Sequence, residues 1–168
     1  NATGTGQGIT IQSVSRPTWS KGFGTSAPAS ANASGTAILG GAPVYLTFRV
    51  VNPSGGVPLT GVGFEDVFPA AGGKANIEPT GVAPTHSNCG TPGFTLTQGD
   101  GAKVAVSGVS VAVGQTCVIT VPVRAYQTNG TYELVNQTNT LLQSSFSSDQ
   151  QLQPSNSPTA DITVRSPL

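Results

Sequence analysis

Apolar and polar residues alternate along several short stretches of the chain, and clusters of turn residues separate these stretches. The clearest stretch is Val44–Asn52, in which every second residue from Val44 to Val50 is aliphatic or aromatic. Side chains of a strand point alternately to its two faces, so this period predicts a β-strand with one face in the core. The segment Pro53–Gly56 reads Pro-Ser-Gly-Gly and predicts the turn that ends the strand.

The same pattern predicts nine further short strands. They are Gly8–Val14, Val62–Phe68, Phe94–Gln98, Lys103–Ser107, Val109–Val113, Thr116–Arg124, Thr131–Asn136, Asn139–Phe146 and Ala160–Arg165. Residues 19–41 are rich in Ala, Ser, Gly and Thr, and we interpret them as a long connection with room for one edge strand. No period of 20–50 residues repeats, so some nine to ten strands predict one all-β domain over residues 1–168, a sandwich or a barrel.

The composition agrees with an all-β domain and excludes some partners. Hydrophobic residues make up 36% of the chain, which is enough for a core, while charged residues make up only 8%. Seven basic residues balance seven acidic ones, so no net field attracts nucleic acid or anionic lipid. No apolar stretch approaches the length of a membrane span. The chain begins at Asn1, which we interpret as a secreted form that has lost its signal peptide, or as an excised fragment.

The chain has two cysteines, Cys89 in a predicted loop and Cys117 at the start of a predicted strand. They either form a disulfide that closes a loop of about 28 residues or remain two separate buried thiols. Two cysteines and His86 do not complete a structural zinc site, so we expect no metal and no cofactor. A disulfide would place the protein in an oxidising compartment.

Five short motifs follow one another between about residues 43 and 165. They are LTFRVVNP at Leu46–Pro53, VGFEDVFP at Val62–Pro69, the pair NCG at Asn88–Gly90 and GQTCVITV at Gly114–Val121, GTYELVN at Gly130–Asn136, and ADITV at Ala160–Val164. In this order the motifs resemble those of DUF11-like repeats of bacterial surface proteins. The resemblance implies an Ig-like β-sandwich of adhesins, stalks and surface fibres, with Cys89 and Cys117 bridged and no catalytic residue. Residues 19–41 are longer than the family's first connection, so the resemblance does not cover them.

Few residues are candidates for chemistry. Glu65 and Asp66 are adjacent, and because neighbours on a strand face opposite ways they do not form a catalytic pair. We expect Asp66 to accept backbone N–H groups in the following turn. His86 is predicted to be a solvated loop residue, and Asp100 to belong to a turn rather than a calcium site. We therefore expect no enzyme.

The sequence contains candidate residues for two covalent modifications, an isopeptide cross-link and N-glycosylation. A Lys–Asn isopeptide cross-link, as found in some surface sandwiches, needs a buried lysine beside an acid, for which Lys103 is the candidate. With three lysines in the chain, we do not expect one. N-glycosylation sequons at four asparagines are slightly more than chance provides. They are Asn1, Asn32, Asn129 and Asn136.

These observations predict an extracellular, cell-surface structural protein. Our first hypothesis is a filament subunit that polymerises with copies of itself, possible donor-strand residues being Ile9, Ile11 and Val14 within residues 1–14. Zero net charge removes self-repulsion and favours such assembly. The alternative is a stalk or spacer repeat of an adhesin, monomeric and with its termini at opposite ends. A second alternative is a carbohydrate-binding module for host or surface glycans.

Overall fold

The computed structural model describes residues 13–30, 33–71, 74–75, 77–126 and 135–165. This part of the chain contains strands and one short 3-10 turn but no α-helix. The strands are β1 Thr18–Gly24, β2 Thr36–Leu39, β3 Pro43–Val51, β4 Leu59–Val67, β5 Ala70–Ala71, β6 Lys74–Ala75, β7 Ile77–Pro79, β8 Thr85–Ser87, β9 Gly93–Thr97, β10 Lys103–Val111, β11 Thr116–Ala125, β12 Val135–Thr140 and β13 Thr159–Arg165, and the turn is Gln143–Ser145. The prediction of an all-β fold is confirmed.

The longer strands form a β-sandwich. One layer is the sheet β1-β3-β11-β7, in which β8 also pairs with β11. The other layer contains the sheet β4-β10-β9 and, next to β4, the sheet β12-β13-β2. The two parts of this second layer are joined where Asn139 Nδ2 of β12 donates to the Val67 carbonyl of β4 over 3.0 Å. Pairing is antiparallel throughout these sheets except between β13 and β2.

Aromatic rings fill the space between the layers. The Trp19 ring of β1 lies edge-on to Phe64 of β4 at 5.8 Å and to Phe146 at 5.1 Å. Phe48 of β3 meets the same Phe64 ring at 5.1 Å. Edge-to-face pairs of this kind stabilise a core beyond the area they bury. The inward positions of β1, β3 and β4 therefore form one continuous core.

Residues 19–41 hold more structure than the predicted connection. The segment includes nearly all of β1, an edge strand of the first layer, and also β2 in the second layer. Between these strands, residues 25–30 cover the outer face of β3, where the Ala29 amide donates to Thr47 Oγ1 over 3.0 Å and Arg49 donates to the Ala29 carbonyl. Thr47 is buried for this reason, although strand alternation alone places it on an outward face.

Strand β10 replaces two predicted strands, Lys103–Ser107 and Val109–Val113. The prediction divided them at Gly108, which has a positive φ of 67°. In the structure this glycine belongs to an irregularity in the pairing of β10 with β4, between Val106 and Val109, and the strand continues past it. A bulge accommodates extra residues without ending a strand, and glycine readily takes the backbone conformation required there.

Within the described residues, the segment before β1 and the end of β13 lie at opposite poles of the sandwich, which we call the entry pole and the exit pole. At the entry pole, the Ser15 amide donates to the carbonyl of Gly55, in the turn that follows β3. At the exit, Arg165 pairs with Leu39, which leads through a short turn into the first residue of β3. A strand rises about 3.4 Å per residue, so the poles are separated by roughly the 27 Å length of β3.

Asn52 closes the turn after β3. Its side chain is buried, and Nδ2 donates to the Val57 carbonyl over 2.8 Å and to the Val111 carbonyl over 3.0 Å. Replacing Asn52 with Ala leaves these carbonyls without their donor, and we expect the free energy of unfolding to fall by about 1–3 kcal/mol. Urea denaturation measures this loss. The exposed Ser54→Ala change is the control, expected to stay within about 0.5 kcal/mol; equal losses in the two variants would contradict the role of Asn52.

Candidate functional site

A lysine lies in the core of the sandwich. In β1 every second side chain points inward, which places Lys21 between Trp19 and Phe23 on the buried face. The Lys21 side chain is 0% exposed. A buried ammonium is stable only beside groups that compensate the loss of water, so its neighbours define a site.

Two polar side chains from the opposite layer meet this lysine. Asp66 follows Val62 and Phe64 on the inward face of β4 and is 0% exposed. Asn139 belongs to β12 and is 2% exposed. The site therefore joins one strand of the first layer to two strands of the second, which are far apart in the sequence.

The three side chains are in direct contact. Lys21 Nζ lies 2.7 Å from Asp66 Oδ2 and also donates to Asn139 Oδ1. The Asn139 amide is held on its other side, because Nδ2 donates to the Val67 carbonyl over 3.0 Å. The second carboxylate oxygen, Asp66 Oδ1, is buried without a hydrogen-bond partner.

Aromatic rings enclose the lysine amine. Nζ lies 5.7 Å from the centre of the Phe23 ring and 5.9 Å from that of Phe48. These distances allow the ring faces to attract an ammonium ion, but the rings also keep water out. The cluster is therefore a polar island in an apolar surrounding of low dielectric constant.

Burial shifts both ionisable groups towards their neutral forms. Loss of solvent lowers the pKa of Lys21, and the charge of Asp66 and the hydrogen bond to it oppose this shift only in part. Loss of solvent likewise raises the pKa of Asp66, against the opposing influence of the Lys21 charge, the Lys21 hydrogen bond and the Asn139 amide. A proton shared between these two groups is thus less firmly held by the lysine than it would be in water.

The structure corrects two expectations about these residues. Asp66 was expected to accept backbone N–H groups in the turn after β4, but the partner of its Oδ2 is the Lys21 ammonium. Lys103 was named as the buried lysine, but it forms a half-exposed pair with Glu65 at 2.8 Å. Lys21 itself was assigned to a connection. Its alternation with Trp19 and Phe23 was the available signal of an inward-facing lysine.

The other predicted site residues lie elsewhere. The Cys89–Cys117 disulfide is confirmed, with Cα atoms 4.7 Å apart. Val14 is 41% exposed, and Asn136 pairs with Thr163 in the β12–β13 ladder. Outside the described residues are Ile9, Ile11, Asn1, Asn32 and Asn129.

His86 and Asp100 are not brought together with other candidate groups in the described structure. His86 lies on β8, exposed, with its ring 6.0 Å from that of Phe94. Asp100 is exposed in the turn before β10. Within the described ranges, no three His, Cys, Asp or Glu side chains are grouped so as to hold a metal ion, and no helix is long and apolar enough to cross a membrane.

A family model matches most of the sandwich. The model for a domain of unknown function, DUF7933, aligns with residues 28–164. The chain belongs to the DUF7933 family. This match includes Asp66 and Asn139 and begins after Lys21. It does not name a DUF11-like repeat, so that resemblance stays a prediction, and no curated protein matches the DUF7933 chain significantly.

Solved structures resemble the DUF7933 domain only distantly. A family 123 glycoside hydrolase from Clostridium perfringens aligns over 89% of this chain and 27% of its own, with 12% identity and a TM-score of 0.43. A chain of a cohesin–dockerin complex from Clostridium thermocellum aligns over 96% of this chain and 100% of its own, with 8% identity and a TM-score of 0.44. The yeast delta-COP μ-homology domain aligns over 89% of this chain and 54% of its own, with 12% identity and a TM-score of 0.32. Similarity at this level assigns neither a function nor a ligand to the DUF7933 domain.

Proposed function

We propose that this protein is an extracellular, non-catalytic structural domain that transmits tension between its two poles, as a spacer in a cell-surface stalk. The observation that carries the proposal is the position of the chain's entry at Ser15 and its exit at Arg165, at opposite ends of β3. Neighbours attached at these points pull along the strands. The domain then lies in line with its neighbours.

The covalent chemistry of the sandwich supports an extracellular setting. The Cys89–Cys117 disulfide is buried in the core, and disulfides persist in oxidising compartments. Charged residues make up only 8% of the chain, and seven basic residues balance seven acidic ones. The protein therefore has little net field with which to attract an ionic partner.

The buried cluster of Lys21, Asp66 and Asn139 supports a non-catalytic role. Lys21 and Asp66 are closed to solvent, so no substrate of another molecule reaches them. Any chemistry of these groups acts on the domain itself. The carbohydrate-binding alternative gains no support from the described residues and stays a prediction.

Self-assembly into a filament is the competing hypothesis. Its proposed donor residues Ile9 and Ile11 lie outside the described residues, whereas Val14 is exposed near the entry pole. Strand donation would add residues 1–14 to a sheet edge of a neighbouring copy. The two hypotheses differ in the state of the isolated protein.

We expect the full chain to remain monomeric at high concentration, because a spacer needs no contact with copies of itself. Size-exclusion chromatography with light scattering measures this, and negative-stain electron microscopy shows whether filaments form. A variant lacking residues 1–14 is the matched control and should behave in the same way. Filaments of the full chain that disappear in this variant would overturn the spacer proposal in favour of strand donation.

A further inference from the structure

We propose that Lys21 and Asn139 become joined by an intramolecular isopeptide bond, formed without any other protein, with Asp66 carrying the proton. The cluster holds the three parts that this reaction needs in contact: an amine, a carboxamide and a carboxyl group. The inference does not depend on the role proposed above for the whole domain.

The first requirement is a neutral amine beside the carboxamide. An ammonium ion has no lone pair and does not attack a carbonyl carbon, so Lys21 must lose a proton. Asp66 Oδ2 is the acceptor in reach, at 2.7 Å from Nζ. Burial lowers the pKa of the lysine and raises that of the aspartate, so transfer of the proton replaces a buried ion pair by two neutral groups.

The second requirement is stabilisation of the charge that develops on the amide oxygen. The Lys21 amine contacts both Asp66 Oδ2 and Asn139 Oδ1. Once Asp66 is protonated on Oδ2, its O–H group is therefore a hydrogen-bond donor beside the amide oxygen. The other carboxylate oxygen, Asp66 Oδ1, is buried without a hydrogen-bond partner. A donor held next to a developing oxyanion in a water-free site is a strong source of catalysis.

The reaction balances without a cofactor or an oxidant. Nζ of Lys21 attacks Cγ of Asn139, and a C–N bond forms as the carbonyl oxygen takes up negative charge. Asp66 then passes the proton it received from Lys21 to Nδ2 of Asn139, and the second proton of the attacking nitrogen returns to the carboxylate. The bond between Cγ and Nδ2 breaks, ammonia leaves, and one amide bond has replaced another.

The surroundings orient the amide and protect the product. Val67 holds the leaving nitrogen through its carbonyl, 3.0 Å from Nδ2, so the amide plane is fixed before attack. The rings of Phe23 and Phe48 border the amine and exclude water. Because hydrolysis would need a water molecule in this place, the new bond is long-lived.

The position of the bond suits a domain under tension. Lys21 and Asn139 are separated by 118 positions, so the bond closes a loop over most of the sandwich. A force applied at the two poles passes from β1 directly to β12. The intervening residues, including the whole of β3 and β11, then bear no load.

Mass spectrometry of the full chain tests the proposal. After disulfide reduction, we expect the folded protein to be lighter than its sequence mass by one ammonia molecule. Trypsin should leave residues 1–49 joined to residues 125–165, because it cuts neither at a modified Lys21 nor between Arg16 and Pro17. Cyclisation at Asn129-Gly130 would also remove one ammonia molecule from the chain. It would leave the two peptides separate, because both residues lie within 125–165, so the joined peptide distinguishes the two reactions.

Two variants assign the roles. Asp66→Asn keeps both reacting side chains, and we expect it to show the full sequence mass and to release residues 22–49 on digestion. Lys103→Arg is the matched lysine control and should cross-link as the wild type does. Circular dichroism verifies that each variant is folded.

Full sequence mass and release of residues 22–49 from the wild-type protein would overturn the proposal and leave an ion pair only. A linked peptide in the Asp66→Asn variant would overturn the role given to Asp66. Either result is obtained whether the protein is a monomer or a filament, so it does not test the spacer role.

Discussion

Replacing Lys21 with Met is expected to lower the free energy of unfolding by at least about 3 kcal/mol. If Lys21 is an ion, the change leaves Asp66 as an unpaired buried carboxylate, and loss of one partner of such a pair costs about 3–5 kcal/mol. If Lys21 is cross-linked to Asn139, the change removes a bond that closes a loop of 118 residues, worth about 5 kcal/mol in the chain-entropy account. Both states therefore predict a large loss.

Lys103→Met is the matched control for this measurement. Lys103 also pairs with a neighbouring acid, Glu65, but the side chains are 35% and 42% exposed. Pairs in water contribute about 1 kcal/mol or less, so we expect little change. Guanidinium unfolding of the two variants beside the wild type gives the comparison, and similar losses for Lys21 and Lys103 would contradict the importance of the buried cluster.

Removing both cysteines is expected to lower the free energy of unfolding by about 3–4 kcal/mol. The Cys89–Cys117 bond joins the loop after β8 to β11 and spans 28 positions. Its loss gives the unfolded chain more conformations, which is the main source of the destabilisation in the chain-entropy account. Ala in place of both cysteines avoids burying a new polar group.

The reductant response separates this effect from the loss of core volume. A thiol reductant should destabilise the wild type towards the value of the Cys89→Ala/Cys117→Ala variant and leave the variant itself unchanged. Chemical unfolding with and without reductant measures both. An insensitive wild type that shows two reactive thiols after unfolding would contradict the bridge.

Regular alternation made the central strands predictable. Val44–Asn52 and Thr116–Arg124 correspond to β3 and β11 within one residue at each end, because every inward position of both strands carries an apolar side chain or a disulfide cysteine. Prediction was less accurate where an irregular backbone or a crossing segment interrupts this pattern. Gly108 divided β10 in the sequence pattern but forms part of a bulge, and residues 25–30 cover β3 through contacts of Ala29 with Thr47 and Arg49.

The candidate site was less predictable than the strands. Asp66 was expected to have backbone groups of a turn as its partners, and Lys103 was named as the candidate for a cross-link that was not expected. The residue types alone, an aspartate and a lysine, do not say which partners these side chains have in the fold. Alternation with Trp19 and Phe23 marks Lys21 as the inward-facing lysine, and only the packing of β1 against β4 and β12 shows which acid and which amide it meets.

The all-β class and the location of the main strands follow from the sequence, because alternation of side chains is a local property of an extended backbone. The resemblance to surface-protein repeats also implied the disulfide. The meeting of Lys21, Asp66 and Asn139 depends on the tertiary fold instead, since it requires three strands from two layers to align in depth and in register. The opposite poles of entry and exit depend on it too, because strand order and direction are set by long-range pairing that no local pattern specifies.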